Sequence, residues 1–506
     1  MRPVQMRSAA VLFAAFITAM LATMAGARDA SALPSFARKY QTSCLTCHTV
    51  FPVLNPFGEA FRRNGYRFPS QKGSVDSDSV KASMIALGQE EYKKTFPNSV
   101  WPSNIPDAIP LSVMFNGGVA LNIPGEDAHQ AAGNTFDWGG IVGEFHLYGA
   151  GALSDTLTYM TQVTLTQSGD NALQGDIETA YLLWNDVVGP DHAVNIWLGR
   201  LWNPQLTSFG LNSSYLGDTR MPGVSVIGLY NSSGAFSLGA ETVHNDGVEI
   251  NGIIKHRFAY SLGWLASHTG SGLNALNAED AYAHIGIKSG GVALDGEGKY
   301  GPNVPDPAKP WAEKAITVDA FAYHGLNVLD NGTGTVAGGN AVAVAQPDKF
   351  NAVGGTIRAQ YDSLVLDMGG QYESHSHPYA GTPATANPSG NAIPGVPDYT
   401  GAHGVVAWGE LDYVVWPWFV PGVRAEYTLG SAESSSAFSL LRVVPGVAML
   451  VRPDVKVVLT GDFETAQGTP VSGSWAAAGG SIAGAPPGVQ TALKAETVAA
   501  VVAVAF

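Results

Sequence analysis

The sequence predicts a mostly β fold: a large antiparallel β-barrel of about sixteen strands, of the outer-membrane type. Three observations carry this prediction. From about residue 109 the chain consists of segments of roughly ten residues in which apolar and polar side chains alternate. Charged residues make up only 14% of the chain, well below the usual quarter of a soluble protein. The chain also ends on an amphipathic segment whose last residue is Phe506.

The first residues have the features of an export signal. Arg2 and Arg7 provide a positive start, and an apolar run follows over residues 9–24. Ala25-Gly26-Ala27 matches a small-residue cleavage site, and residues 30–32 offer a second one. A membrane anchor is the alternative, but the apolar run is short for one. We therefore expect a signal peptide (1–27), an N-terminal segment (28–108) and a barrel (109–506).

Both cysteines of the chain lie in the sequence Cys44-Leu45-Thr46-Cys47-His48. C-x-x-C-H is the attachment signature of c-type haem. The two thiols add to the porphyrin, and the imidazole of His48 is then placed to bind the iron as the proximal ligand. A disulfide or a redox dithiol is the competing interpretation, but export and the following histidine favour haem. The N-terminal segment is therefore predicted to be a small α-helical domain with one covalent haem c.

A short helix is predicted after the motif. Asn55 fits its N-cap, Pro56 its first position, and Asn64-Gly65 its end. Phe57 and Phe61 share one face, and they suit packing against a haem edge or within an ordinary core. Three arginines suit either pairing with haem propionates or a solvated face: Arg62, Arg63 and Arg67.

Sixteen strands are predicted, an even number, as bacterial single-chain barrels require. The expected starts are residues 111, 139, 156, 174, 192, 247, 257, 280, 315, 349, 363, 402, 418, 437, 454 and 491. Short links, such as Ser154-Asp155, alternate with long ones, which is typical of periplasmic turns and external loops. The link 289–314 is long and proline-rich where a short turn is due. It indicates either a slip in register or an extended turn.

The last strand and an aromatic cluster favour a membrane location. Val498, Val502 and Val504 are expected to face lipid, whereas Ala499, Ala503 and Ala505 face the lumen and leave room inside it. Four aromatic residues cluster at one predicted turn and suit an interfacial girdle: Tyr413, Trp416, Trp418 and Phe419. A soluble all-β protein is the alternative, although no repeat of about 40–50 residues supports a propeller.

The motif does not identify the second axial ligand of the iron. Met84 is a candidate because it is the methionine that follows the motif before the barrel. If the haem lies inside the lumen, three inward-facing residues of the strands become candidates: His146, Met160 and His284. Each also suits an ordinary place in the core or the polar lining of the lumen. His375-Ser376-His377, in a predicted external loop, suits either a metal ion or solvent.

Composition excludes some classes of function. The net charge of −15 argues against nucleic-acid binding, which needs a basic surface. The sequence contains no convincing pairing of a nucleophile with a base, so a hydrolase or transferase has no support.

Four stretches resemble one family. They are Pro34-Ser35-Phe36-Ala37-Arg38, the C-x-x-C-H motif, Phe57-Gly58-Glu59-Ala60-Phe61 and Asn64-Gly65-Tyr66. Together they resemble the start of fused cytochrome–porin proteins, which include the outer-membrane iron-oxidising cytochromes. The specific resemblance covers residues 34–68, and beyond them it is architectural. It implies one covalent haem c, an outer-membrane location and electron transfer, with His48 as proximal ligand.

The main functional hypothesis is therefore an electron conduit, an electron-transfer oxidoreductase rather than a hydrolase or transferase. Its expected partners are outer-membrane lipid, a periplasmic electron carrier such as a soluble cytochrome, and an extracellular electron donor or acceptor. Fe(II) is one such donor, although the resemblance does not establish it. The alternatives are a transport porin whose haem is a gate or sensor, and a secreted soluble electron carrier.

Overall fold

The computed structural model describes residues 36, 44–67, 111–124, 135–153, 156–167, 173–189, 192–201, 206–209, 214–216, 245–266, 280–296, 309–335, 341–376, 402–432, 438–467 and 493–505. The predicted signal peptide, 1–27, and Met84 lie outside these residues. None of the described helices is long and apolar enough to cross a membrane.

Sixteen strands form one closed antiparallel barrel, in which neighbours in sequence pair and β16 closes on β1. The strands are β1 Leu111–Pro124, β2 Thr135–Ala152, β3 Leu157–Gln167, β4 Leu173–Trp184, β5 Asn195–Leu201, β6 Asn245–Ile254, β7 Phe258–Leu265, β8 Asp280–Gly290, β9 Glu313–Thr335, β10 Ala341–Asp362, β11 Leu364–His375, β12 Ala402–Tyr413, β13 Phe419–Ala432, β14 Phe438–Arg452, β15 Val455–Gln467 and β16 Leu493–Ala505. The predicted number and order of strands are confirmed.

One predicted strand start is clearly displaced. β10 begins at Ala341 instead of residue 349, because β9 and β10 form a hairpin of 23 and 22 residues that pairs as far as Thr335 and Ala341. A transmembrane strand needs only about 9–11 residues. The apolar–polar alternation therefore marks the spanning part of this hairpin and does not mark its extension.

Alternation decides which side chains enter the lumen. In β3 the predicted inward face is confirmed, since Thr158, Met160, Gln162 and Thr164 are all buried. In β8 every second residue from Asp280 to Lys288 is buried, while the apolar residues between them are exposed to the outside. The same exposed apolar surface recurs around the barrel, with Leu262, Ile285, Ile287, Ile316 and Val353 as examples. An outer surface of this kind suits the hydrocarbon layer of a membrane.

The two edges of the barrel differ. Short connections join β2–β3, β4–β5, β6–β7, β10–β11, β12–β13 and β14–β15, and we call their edge the turn end and the opposite edge the loop end. The β8–β9 connection, residues 291–312, also lies at the turn end and is long. Because β8 and β9 keep a regular register from Ala281 opposite His324 to Gly290 opposite Ala315, this connection is an extended turn. A register slip is excluded.

The predicted aromatic girdle lies at the turn end. Tyr413, Trp416 and Trp418 are each about half exposed, and the rings of Trp416 and Trp418 stack with centroids 5.1 Å apart. Trp184 and Tyr361, near the same edge, point outward and are 53% and 65% exposed. Amphipathic rings at this level suit a membrane–water interface.

Candidate functional site

The C-x-x-C-H motif forms a single turn. Cys44–Thr46 is a 3₁₀ turn, and the amides of Cys47 and His48 donate to the Cys44 carbonyl at 3.2 and 2.9 Å. Both thiols are free, so the structure does not contain the alternative disulfide between Cys44 and Cys47. Burial, with a smaller contribution from Cys44, raises the pKa of the Cys47 thiol to about 12. A redox dithiol needs a lowered thiol pKa, so this environment disfavours that interpretation.

The imidazole of His48 is held by one ring nitrogen. Its Nδ1–H donates to the Pro52 carbonyl at 3.1 Å, which leaves Nε2 as the nitrogen that can bind a metal. Burial lowers the pKa of His48, and this outweighs the opposing effect of the Pro52 and Val53 backbone. The neutral ring is the form that ligates iron. The residues of the motif therefore fit a c-type haem.

Asn55 connects the motif to the helix that follows, α1, Pro56–Arg63. Its Oδ1 accepts from the Gly58 amide at 2.9 Å as an N-cap, and its Nδ2 donates to the carbonyls of Leu45 and Thr46 at 3.0 Å. Gly58 packs against the motif so closely that a Cβ there would lie 2.0 Å from the Cys47 carbonyl oxygen. The predicted cap, start and end of this helix are confirmed.

The residues after α1 fasten the N-terminal segment to the turn end. Asn64 Nδ2 donates to the Asp295 carbonyl at 2.9 Å, and the hydroxyls of Tyr66 and Tyr181 lie 3.2 Å apart. Gly65 has a φ of +66° and lies against the Asn185 side chain, which leaves no space for a Cβ. These contacts explain why an Asn-Gly-Tyr sequence occupies this place.

Apolar packing also places the motif inside the barrel. Val50 and Val53, fully and almost fully buried, belong to one cluster with lumen-facing side chains of the barrel wall, including Val365, Ala448 and Val458. Phe61 contacts Phe36 edge-on at 5.0 Å and Tyr66 at 6.0 Å. Of the two interpretations of Phe61, this contact supports ordinary core packing.

The β5–β6 connection enters the lumen as well. Its described residues, 206–209 and 214–216, are almost all buried, and we call them the lumen loop. The Ser208 amide donates to Asp319 Oδ1 at 3.0 Å, and the Ser214 hydroxyl donates to Glu410 at 3.0 Å. Tyr215 shares the cluster of Val50 and Val53. The connection lies at the loop end, as predicted for a long link, and its described residues fold into the lumen because their polar groups find partners on the inner wall.

One side of the lumen is less filled. β16 pairs with β15 so that Val501 lies opposite Val458, which faces the lumen, and Ala499 and Ala503 face the same way, as predicted. Val501 is nevertheless 41% exposed. Burial and then the nearby carboxylate of Asp454, in the adjacent turn, raise the pKa of the Cys44 thiol, so the motif lies close to this wall.

The candidates for the second axial ligand have other partners. His146 Nδ1 lies 2.8 Å from Thr164 Oγ1, and its Nε2 lies 3.1 Å from Glu144. His284 Nε2 lies 2.9 Å from Asp319, and its Nδ1 lies 3.5 Å from Ser261. Met160 packs in an apolar cluster of the wall. These contacts support the ordinary interpretations, and the ligand assignment stays a prediction.

Two further metal-site observations apply to the described residues. They contain no group of three or more His, Cys, Asp or Glu side chains placed to hold a metal ion. His375, expected in an external loop, ends β11 instead and is buried with its ring 5.1 Å from Phe350. His377 lies outside the described residues.

The three arginines near the motif differ in their partners. Arg62 pairs with Glu59 at 3.0 Å, and Arg67 pairs with Asp186 at 3.0 Å. Arg63 is buried, and neither of its terminal nitrogens has a hydrogen-bond partner in the described part of the chain. The sequence could not distinguish the roles of these three arginines. The partner of Arg62 lies in α1, the partner of Arg67 lies in the β4–β5 turn, and the terminal nitrogens of Arg63 have no partner among the described residues.

Comparison with known proteins gives distant structural likeness only. No protein-family model and no curated sequence matches the chain. Among solved structures, the outer-membrane protein OmpT of Vibrio cholerae has a TM-score of 0.42 at 11% identity, covering 78% of this chain and 97% of its own. An anion-selective porin from Comamonas acidovorans has 0.45 at 12%, covering 78% and 99%. The channel DcaP of Acinetobacter baumannii has 0.44 at 9%, covering 78% and 96%. The fold assignment rests on the strand pairing itself.

Proposed function

We propose that this protein is an outer-membrane c-type cytochrome that moves electrons across the membrane through one covalent haem held in the lumen of its barrel. The observation that carries the proposal is the position of the motif. Cys44, Cys47 and His48 form one turn inside a closed barrel, and the Nδ1–H of His48 is fixed on the Pro52 carbonyl. Haem c, when bound, supplies reversible one-electron chemistry.

The chain's own residues have three tasks in this proposal. The two thiols anchor the group, and His48 presents Nε2 to the iron. Val50, Val53 and the lumen loop exclude water around the motif. Burial of the haem would then be one means by which the protein tunes its reduction potential. The barrel surrounds this site with an outer apolar surface that suits lipid.

The position of the motif suggests how partners are arranged. The N-terminal segment contacts the turn end through Asp186 and Asp295, and short turns of such barrels face the periplasm. A periplasmic electron carrier, such as a soluble cytochrome, would therefore meet the protein at this end. The extracellular donor or acceptor, with Fe(II) as the donor to test first, would meet it at the loop end.

An anaerobic redox assay on the detergent-solubilised protein tests the proposal. We expect a covalent haem spectrum and, on addition of Fe(II), rapid appearance of the reduced bands. His48→Ala should lose the normal spectrum, whereas His324→Ala, an exposed histidine of β9, should retain it. Absence of covalent haem from the wild-type protein would refute the cytochrome assignment. Covalent haem that Fe(II) does not reduce would retain the cytochrome and reject iron as donor.

A transport porin with a haem gate or sensor is the second candidate. The observation in its favour is the barrel of sixteen strands, since barrels of this size have lumens wide enough for solutes. The filling of the lumen by the N-terminal segment and the lumen loop argues against free passage. A secreted soluble carrier is disfavoured by the exposed apolar side chains around the barrel.

A further inference from the structure

Arg63 at the end of α1 borders a small pocket between the N-terminal segment and the barrel wall. The side chains around this space come from β5 to β8 and from the lumen loop, and they are mostly polar, with Asn195, Ser208, Asn251 and His284 among them. The space has room for about one water-sized sphere, and a monoatomic anion such as chloride is only slightly larger.

The Arg63 guanidinium is buried, and its terminal nitrogens are unpaired in the described part of the chain. Its side chain is 8% exposed, and Nη1 and Nη2 both lack a hydrogen-bond partner in the described part of the chain. Burial, and then the neighbouring Arg62, lower the pKa of Arg63 to about 10, so the group still carries its charge at neutral pH. Glu59 and Asp319 favour this charge from nearby, but buried N–H groups without an acceptor remain costly.

The acidic groups near Arg63 are already engaged with other cations. Glu59 pairs with Arg62 at 3.0 Å, Glu313 with Lys288 at 2.8 Å and Asp367 with Arg358 at 2.6 Å, all by nitrogen–oxygen distance. Asp319 favours the charged form of Arg63 electrostatically, but its oxygens accept from the Ser208 amide, His284 and Thr356. In the described part of the chain, Arg63 is the cation of this group whose terminal nitrogens have no direct partner.

A second donor of the same space is also without a partner. Ser208 is 2% exposed, and its Oγ makes no hydrogen bond in the described part of the chain. Its backbone amide is fixed on Asp319 at 3.0 Å, so the hydroxyl is held in place beside the space. A guanidinium and a hydroxyl that border one space are a suitable donor set for an anion.

We propose that this space binds a single small inorganic anion of chloride size, which fastens α1 to the lumen loop. The anion accepts from the guanidinium of Arg63 and the hydroxyl of Ser208. It thereby links the N-terminal segment, which carries the motif, to the loop that fills the lumen. The proposal does not depend on haem attachment.

Hydrogen exchange of the full chain in detergent tests this site. The protein as purified is compared in sodium chloride and in sodium gluconate at equal ionic strength, because gluconate is too large for the space. Peptides that cover residues 56–66 are followed by mass spectrometry. We expect chloride at ten times its dissociation constant to slow exchange about tenfold when these residues exchange through release of α1.

Two variants make the test specific. Arg63→Gln should lose the chloride response, whereas Arg67→Gln, an equal loss of charge in a residue already paired with Asp186, should retain it. Crystals soaked in bromide should show an anomalous peak between Arg63 and Ser208. A chloride response that persists in Arg63→Gln would overturn the proposal, since the ion would then bind elsewhere.

The remaining outcomes identify a different occupant. If wild-type exchange is the same in both salts and bromide gives no peak, the space holds water, and the proposal is wrong. A haem propionate is the other source of negative charge. In that case exchange would also ignore chloride, and Arg63→Gln would lower the equilibrium constant for haem reduction about tenfold, or about 59 mV for one electron. This result would overturn the free-anion proposal.

Discussion

At the scale of single residues, the geometry of the motif depends on Asn55. This side chain is 1% exposed, caps α1 through Oδ1 and holds the turn of Cys44–Thr46 through two donated hydrogen bonds from Nδ2. Only an amide can accept and donate in this way, because a hydroxyl has a single proton and a carboxylate has none at neutral pH. Asn55 thus joins the sequence motif to the helix that supports it.

Replacement of Asn55 should loosen α1 in proportion to the bonds removed. Loss of an N-cap costs about 0.5–2 kcal/mol, and each lost hydrogen bond costs about 1 kcal/mol. We expect Asn55→Ala to raise amide exchange in residues 56–66 by tenfold or more. Asn55→Ser, which keeps the cap acceptor, should have a smaller effect. Equal exchange in Asn55→Ala and the wild type would show that the wall alone holds the helix.

The ion pair between Arg67 and Asp186 predicts a pH dependence. Although burial opposes it, the hydrogen bond from the His192 amide and the interactions with Arg67 keep the pKa of Asp186 below its ordinary value of 3.8. Because the folded-state pKa is the lower one, the stabilisation is complete above 3.8 and is lost as the pH falls through the folded value.

Asp186→Asn tests this dependence by thermal unfolding. The wild type should have a higher transition temperature than the variant at pH 5–7, and the difference should vanish as the pH falls well below about 3.8. A difference that stays constant with pH would mean that Asp186 acts through hydrogen bonds that the asparagine keeps. Loss of the difference already near pH 6 would also contradict the assignment.

At the scale of elements, strand faces were predictable and the occupants of the lumen were not. In β3 and β8 the period of two is enough to assign Thr158 to the lumen and Ile285 to the outside. One face of each strand points to polar groups in the lumen, and the other face is apolar and points outward. The lumen loop has no such period. Its burial depends on long-range partners, such as Asp319 for Ser208 and Glu410 for Ser214.

The candidate site divides in the same way. Cys44, Cys47, His48 and the cap Asn55 follow from local sequence, because their chemistry depends on fixed short spacings. The roles of Arg62, Arg63 and Arg67 do not, since identical side chains meet different neighbours. His146 and His284 were correctly placed on the inward face, but periodicity gave no information on their partners.

A charge on the outer face of β8 tests the membrane-facing surface. Ile285 lies mid-strand and is 55% exposed on the outside. Arginine near the bilayer midplane of such barrels costs about 2–4 kcal/mol. We expect Ile285→Arg to lower the fraction of heat-modifiable, folded protein in outer membranes. Val188→Arg, in the β4–β5 turn and 63% exposed, is the matched control and should fold normally. Equal folding of both variants would argue against lipid contact at β8.

At the scale of the whole molecule, closure of the barrel and filling of its lumen have opposite consequences for function. Pairing of β16 with β1 leaves no free strand edge and encloses a space that would conduct ions if it were empty. The N-terminal segment and the lumen loop occupy that space and share the cluster of Val50, Val53 and Tyr215. The two proposed functions differ in whether this filling is permanent.

Single-channel conductance in planar bilayers decides between them. The wild type should pass little current, since the N-terminal segment and the lumen loop lie in the lumen. A variant that lacks residues 28–67 and carries a short glycine–serine link in place of 206–216 should conduct as an open pore, while either change alone should give an intermediate current.

The decisive control is Cys44→Ser with Cys47→Ser, which keeps the segment and abolishes covalent attachment of haem. If the segment itself closes the lumen, this variant stays as closed as the wild type, as a conduit requires. If it opens, the haem acts as a gate, and the transport porin is the better account of the molecule.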